Sequence, residues 1–247
     1  MQKNHLFTTI FASASLIMLS FAAPATNGSV PASVSDNAVV ATTAVSGVAT
    51  KAYASMYSSL KLDSAGLSQE AFDYAIKGYE KLVAEGTVTK DQYLTIVDFS
   101  QSSRKKRFYL LDMKNGQMLI NTFVSHGKNS GVDMAERFSN QPNSEQSSLG
   151  FYVTGTTYTG KHGKSLRLQG QEEGFNSNAL ARGVVVHGAP YVNAGRVNSG
   201  YMGRSQGCPA LPETEYAKVI DIIKDGSVMF LYSPSQDYIQ HSPVLNS

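Results

Sequence analysis

One cysteine and one histidine near the C-terminal end are the residues best suited to covalent chemistry. Cys208 is the single cysteine among 247 residues. A lone thiol cannot form an internal disulfide, so it is either a small buried apolar residue or a reactive group. His187 ends the apolar, β-branched run 183–186 and precedes Gly188, which predicts a buried strand that delivers the imidazole to its end. A thiol beside an imidazole base is the arrangement of nucleophilic cysteine catalysis.

The segment around Cys208 favours the reactive interpretation. It reads Gly203-Arg204-Ser205-Gln206-Gly207-Cys208-Pro209-Ala210, and seventeen residues separate His187 from Ser205. A free thiol is mostly protonated at neutral pH, and a neighbouring imidazole can take its proton to form a thiolate–imidazolium pair. Gly207 lets the backbone approach a substrate carbonyl and offers its N–H to a developing oxyanion. We therefore predict Cys208 and His187 as catalytic residues, with Gly207, Ser205 and Gly188 as oxyanion or turn support.

The strand, the His-Gly pair, the Gly-rich connection and the Ser-x-Gly-Cys motif resemble the murein L,D-transpeptidase catalytic domain family, which is YkuD-like. The resemblance covers residues 92–233 and includes the Asn115-Gly116 hairpin and Val124-Ser125-His126-Gly127. It implies a mainly β fold, a curved β-sheet or sandwich with a few packing helices. It also implies that Cys208 forms an acyl-enzyme with a peptidoglycan stem peptide and passes the acyl group to an amine. No metal and no organic cofactor is implied.

The sequence departs from the family pattern in two respects. Gln206 stands where many members carry a second histidine, which leaves His187 as the base. Pro209 and Ala210 stand where many carry an arginine, so Arg204 becomes the candidate contact for a substrate carboxylate. Tyr191 is a second substrate-binding candidate through its hydroxyl, although it could simply pack.

Several alternatives remain open at this stage. With water as the acceptor, the same site would make an L,D-carboxypeptidase or a cross-link hydrolase, and a non-catalytic wall-binding protein could retain the fold. A zinc site is disfavoured because no pair among the histidines and the cysteine has short ligand spacing. His126 and His162 lie next to glycines in turn-like contexts, where they either line a cleft or face solvent.

The surrounding elements must bring the cysteine and the histidine together. Ser68 predicts the start of a helix whose apolar residues recur at helical spacing until Gly86. A second helix is predicted over 213–224, and a less regular one over 52–60. Residues 128–148 read as a long polar loop. The predicted strands are 94–99, 107–113, 117–125, 150–157, 166–169, 183–187 and 228–232, with Asn115-Gly116 as a hairpin turn.

The chain divides into five predicted segments. Lys3, the apolar run 6–23 and Ala23-Pro24-Ala25 predict a cleaved signal peptide over 1–25, and hence export to the periplasm or cell wall. The others are a flexible linker (26–50), a helical accessory segment (51–91), the catalytic domain (92–233) and a C-terminal tail (234–247).

Charge and hydropathy limit the partners. The formal net charge of +2 gives no support for nucleic-acid binding, and no stretch after the leader is apolar for long enough to span a bilayer. The expected partner is the peptidoglycan stem peptide. The sequence carries no signal for an oligomeric state.

Overall fold

Strands dominate the regular structure of Tyr53 and residues 55–247, the part of the chain that this computed structural model describes. These residues belong to one compact unit. The predicted signal peptide and linker lie outside the described residues. The first residue of the helix predicted over 52–60 also lies outside the described residues. Within them, residues 55–59 are helical.

The complete helices are α1 (Gln69–Ala84), α2 (Tyr216–Ile223) and α3 (Gln236–His241). The strands are β1 (Tyr93–Asp98), β2 (Phe108–Asp112), β3 (Gln117–Thr122), β4 (His126–Gly127), β5 (Gly150–Gly160), β6 (Gly163–Gly170), β7 (Val185–Gly188), β8 (Arg204–Ser205), β9 (Ala210–Leu211) and β10 (Val228–Tyr232).

Eight of these strands form one curved mixed sheet in the order β3-β2-β1-β10-β5-β6-β7-β9. The β1–β10 and β7–β9 pairs are parallel, and the other neighbours are antiparallel. Strands β4 and β8 pair in a small sheet of their own. The predicted mainly β fold with a few packing helices is confirmed.

Helix α1 packs on the face of this sheet. Its N-cap is Ser68, whose hydroxyl accepts a hydrogen bond from the Ala71 N–H. The predicted apolar face is buried in the core shared with the sheet, apart from a half-buried residue near its end. Gly78 allows the close approach, because a Cβ there would lie 2.0 Å from the Phe151 ring. The helix prediction is confirmed, while the domain boundary at 91/92 stays a prediction.

The elements near the site differ from the sequence prediction mainly at their ends. Strands β5 and β6 are longer than predicted because their antiparallel pairing continues to a tight turn between Gly160 and Gly163. Helix α2 begins at Tyr216 rather than 213, after a turn in which the Glu215 and Tyr216 N–H groups bond to the Pro212 carbonyl.

Residues 234–247, predicted as a tail, contain α3 and contribute to the core. Tyr238 and Leu245 are buried. The hydroxyls of Tyr238 and Ser242 donate to the buried carboxylate of Glu172, which also accepts the Phe151 N–H. This carboxylate ties the C-terminal segment to the sheet. Within the described residues, no helix has the length and apolar character needed to cross a bilayer.

Candidate active site

The end of β7 brings His187 and Cys208 to one cleft. Strand β7 pairs in parallel with β9, with His187 opposite Ala210, so Cys208 lies two residues before the paired position. The Val185 N–H donates to Cys208 Sγ at 3.5 Å. Val185 and His187 point to the same side of β7 because side chains alternate along a strand. Both His187 and Cys208 line a cleft of about 670 Å³.

His187 is held as a neutral imidazole. Its Nδ1 lies 2.8 Å from the Gly188 carbonyl oxygen. A carbonyl only accepts, so Nδ1 carries the hydrogen and the lone pair is on Nε2. Burial lowers the pKa of His187, and His162 and Lys161 lower it further, against the opposing effect of the Gly188 carbonyl. The ring is therefore available as a base at neutral pH.

Cys208 is half-buried and protonated at rest. Burial raises the pKa of the Cys208 thiol, and this outweighs the Val185 N–H and the Arg182 guanidinium, which both lower it. Together with the lowered pKa of His187, this favours a neutral thiol and a neutral imidazole in the same cleft. The directions of both pKa shifts disfavour the thiolate–imidazolium pair anticipated from the sequence as the resting state. The proton must move during attack on the substrate.

A tight turn built by Ser205 and Gly207 presents the cysteine. The Ser205 hydroxyl accepts the Gly207 N–H at 3.1 Å and donates to the Cys208 carbonyl at 2.6 Å. Gly207 has φ +118°, and a Cβ there would lie 2.7 Å from the Gln146 carbonyl oxygen. Both residues shape the turn. The Gly207 N–H, predicted to serve an oxyanion, donates to the Ser205 hydroxyl in this structure.

Neighbouring backbone fixes this turn in place. Strand β8 pairs with β4, with Arg204 opposite His126 and Ser205 opposite Gly127, and the Lys128 N–H donates to the Ser205 carbonyl. On the other side, Gly188 gives room for the Tyr216 ring of α2, which would lie 2.6 Å from a Cβ at that position. Gly188 thus allows helix α2 to pack closely against the end of β7, next to His187.

Arg204 and Tyr191, the predicted substrate-binding residues, both border the cleft. The Arg204 guanidinium donates to the Lys128 and Gly131 carbonyls at 3.0 and 3.2 Å. The Tyr191 ring packs on Gly203, where a Cβ would approach it to 2.5 Å. Burial raises the pKa of Tyr191. Each side chain has a packing role, and their contact with substrate stays a prediction.

Arg182 is a neighbour of Cys208 that the sequence analysis missed. Its guanidinium donates to the Ser139 and Gln146 carbonyls and to the Ser144 and Ser148 hydroxyls, so it fixes the loop beside the cysteine. It also lines a second cavity, of about 360 Å³, that Cys208 borders as well. No local motif connects Arg182 with Cys208, since they come from different parts of the chain.

The two remaining histidines of interest have different surroundings. His126 is fully buried, with Nδ1 2.7 Å from an Arg107 guanidinium nitrogen and Nε2 3.3 Å from the Gly131 carbonyl oxygen. Burial, with Arg107 adding to it, lowers the pKa of His126 to about 4. It therefore neither faces solvent nor lines the cleft, whereas His162 does line the cleft. No group of three or more potential metal ligands lies together in the described part of the chain.

The comparisons with known proteins assign the family. The family profile described as the L,D-transpeptidase catalytic domain matches residues 63–232. This match covers more than half of the 247 residues, so the chain belongs to the L,D-transpeptidase catalytic domain family. No curated protein matches the sequence at a significant level.

Solved structures of L,D-transpeptidases are similar at low identity. An L,D-transpeptidase from Mycobacterium smegmatis is 17% identical with a TM-score of 0.37, and the match covers 57% of this chain and 59% of that one. L,D-transpeptidase 3 from Mycobacterium tuberculosis, solved with a faropenem-derived adduct, is 13% identical with a TM-score of 0.38. There the match covers 57% of this chain and 60% of that one. The chain thus spans about three fifths of these solved chains.

Proposed function

We propose that the protein is a cysteine-dependent peptidoglycan L,D-transpeptidase. The observation that carries this proposal is the position of Cys208 and His187 on one cleft, within a chain of the L,D-transpeptidase catalytic domain family. A thiol that shares a cleft with a neutral imidazole has the parts needed for acyl transfer. The family supplies the substrate class, a peptide stem of the cell wall.

The proposed reaction proceeds in two acyl transfers. Cys208 Sγ attacks the carbonyl carbon of an L-residue in the stem while His187 Nε2 takes the thiol proton. The tetrahedral oxyanion collapses to a thioester, and the C-terminal D-amino acid leaves with the proton from His187. An acceptor amine then attacks the thioester, its proton passes to His187 and then to sulfur, and the new peptide bond forms as the C–S bond breaks. Since Gly207 is engaged with Ser205, we assign the oxyanion donor to the Cys208 N–H.

The charge of the cleft suits an acidic substrate. Lys161, Arg204 and Lys128 line it, the last ion-paired with Glu145 at 2.6 Å, and none of the described residues that line it is an aspartate or a glutamate. Stem peptides carry carboxylates, which cationic side chains attract. We assign Arg204 to one of these carboxylates, and Tyr191 to the substrate as a hydrogen-bonding neighbour.

A second cavity at Cys208 favours an amine acceptor over water. It shares Gly183, Gln206 and Cys208 with the cleft and adds Glu145 and Arg182. An acyl donor in the cleft therefore leaves separate space beside the sulfur for a second peptide. The Glu145 carboxylate borders that space and is ion-paired with Lys128 at 2.6 Å, so the space rather than its charge favours an amine acceptor. This arrangement supports transpeptidation rather than simple hydrolysis.

Incubation with purified tetrapeptide muropeptides, followed by mass analysis, tests the function. The proposal expects cross-linked dimers that have lost one terminal D-amino acid, and no product with Cys208→Ala. Tripeptides alone would identify an L,D-carboxypeptidase, and cleavage of preformed dimers would identify a hydrolase. Binding without any product would overturn the enzyme assignment in favour of a wall-binding protein.

We also propose export to the periplasm or cell wall, where peptidoglycan is accessible. The proposal rests on the predicted leader over 1–25 and on the family's wall substrate. N-terminal sequencing of the protein from the extracytoplasmic fraction should give a start near residue 26. Recovery of intact Met1 from the membrane fraction would contradict cleavage.

A further inference from the structure

The His187 ring is covered on one face by a second imidazole. His162, at the tip of the β5–β6 hairpin, stacks on it with ring centroids 4.4 Å apart and an interplanar angle of 26°. His162 itself is exposed, whereas His187 is buried. The second histidine therefore lies between the proposed base and the solvent.

The hairpin holds His162 in this position. Strands β5 and β6 pair up to Gly160 and Gly163, which leaves a two-residue turn of Lys161 and His162. Ser165 on β6 pairs directly with His187 on β7. The Lys164 ammonium forms an ion pair of 2.5 Å with Asp221 on α2. The stacked ring thus belongs to a turn that two neighbouring elements anchor.

We propose that His162 is a positioning residue for His187. Its ring packs on the imidazole and holds it in the cleft that Cys208 lines, and its closeness to that ring favours the neutral form of His187. The inference rests on the proposed function, in which His187 is the base. It assigns to the hairpin tip a role that the Cys-His pair does not explain.

The charges around His187 support the proposed effect of His162 on the protonation of the His187 ring. The hairpin contributes Lys161 and His162, β8 contributes Arg204, and the segment after β4 contributes Lys128, which is ion-paired with Glu145 at 2.6 Å. The other titratable neighbours are Tyr158, Tyr191, Cys208 and, against Gly188, Tyr216. None of the described cleft residues is a carboxylate that would stabilise an imidazolium. The electrostatic effects of His162 and Lys161 both lower the pKa of His187, which disfavours a second proton on its ring.

The positioning role proposed for His162 follows from the contacts that hold the His187 ring. The Gly188 carbonyl fixes Nδ1, and the His162 face limits rotation of the ring out of the cleft. A phenylalanine at position 162 would preserve the stacking without the charge. An alanine would remove both. These two variants therefore separate positioning from electrostatics.

The test combines nitrogen NMR of the His187 ring with pH–rate profiles for wild type, His162→Phe and His162→Ala. In His162→Phe we expect the His187 titration midpoint to rise by about half a pH unit or more, with the acid limb of kcat/KM moving up in parallel. In His162→Ala we also expect kcat to fall roughly tenfold and the Nδ1–H tautomer to be less populated. Thr159→Ala, an exposed change on the same hairpin away from the cleft, should match wild type in both measurements.

Failure of the role proposed for His162 and failure of the proposed function give different results. An unchanged His187 midpoint in His162→Phe would overturn the electrostatic part, and equal kcat in all three proteins would overturn the positioning part. The NMR titration needs no substrate, so it remains decisive even when the wild type forms no cross-links. Absence of cross-linking with a shifted midpoint would overturn the proposed function and keep the contact between the two rings.

Discussion

At the scale of single residues, the pKa shifts favour a resting pair in which the proton is bound to the Cys208 sulfur. Burial raises the pKa of Cys208 and lowers that of His187, so both groups are neutral near pH 7. A preformed thiolate would react readily with electrophiles and oxidants. A neutral pair avoids that reactivity until a substrate carbonyl is positioned.

This resting state predicts slow alkylation of Cys208 at neutral pH. The rate with iodoacetamide should keep rising from pH 7 to above pH 9, because the thiolate fraction grows over that range. Cys208 is the single cysteine, so the Cys208→Ala variant is the control for alkylation at other residues. A plateau already reached near pH 6 or 7 would show a stable thiolate–imidazolium pair and contradict this account.

His126 predicts an acid-sensitive fold. Its pKa is about 4 in the folded protein against 6.5 as the ordinary value, so the unfolded chain takes up the proton first as pH falls. The stabilisation is complete above pH 6.5 and is lost between pH 6.5 and 4, by up to about 3 kcal/mol. Denaturant unfolding at several pH values measures it. In His126→Gln, which can still bond Arg107 and Gly131, this part of the pH dependence should disappear, and its persistence would exclude His126 as the cause.

At the scale of elements, helix α1 packs closely against the sheet. A Cβ at Gly78 would overlap the Phe151 ring, and Phe151 itself stacks on Phe230 of β10 at 4.1 Å between centroids. Gly78→Ala should therefore destabilise the protein by about 1–3 kcal/mol through overpacking, even though alanine favours helices. Lys77→Ala, exposed on the same helix, is the control. A melting temperature of Gly78→Ala equal to or above wild type would contradict the packing.

Local sequence patterns predicted most of these elements. Ser68 and the apolar spacing after it predicted α1, and Asn115-Gly116 predicted the β2–β3 hairpin. These signals lie within a few neighbouring residues. The ends of β5 and β6 depend on pairing between strands, and β4 and β8 are two residues each, so nothing in their local sequence marks them.

The candidate site was predictable where residue type and local motif carried the signal. A lone cysteine and a histidine at a strand end indicated the pair before any contact was known. Arg182 and the stacking of His162 on His187 arise from segments that only the fold brings together. The engagement of the Gly207 N–H likewise depends on the turn that Ser205 closes, which sequence spacing does not reveal.

At the scale of the whole molecule, the C-terminal segment is part of the folded core. Removing residues 235–247 would expose the surface covered by Tyr238 and Leu245 and take two of the hydrogen-bond donors from Glu172. Each buried large side chain contributes roughly 1.5–3 kcal/mol, so the loss should be several kcal/mol. We expect a strongly lowered melting temperature for the truncated protein, with Gln240→Ala, an exposed change, as the control. A truncated protein as stable as wild type would show that the segment only covers the surface.

The most direct test of the account is a double-mutant cycle on muropeptide cross-linking. If Cys208 and His187 act as one unit, Cys208→Ala and His187→Ala should each reduce kcat/KM by about a thousandfold or more, and the double variant should lose little beyond that. Melting temperatures should stay close to wild type, because neither change removes a large buried apolar group. Independent losses that multiply in the double variant, or turnover that survives Cys208→Ala, would contradict the central claim.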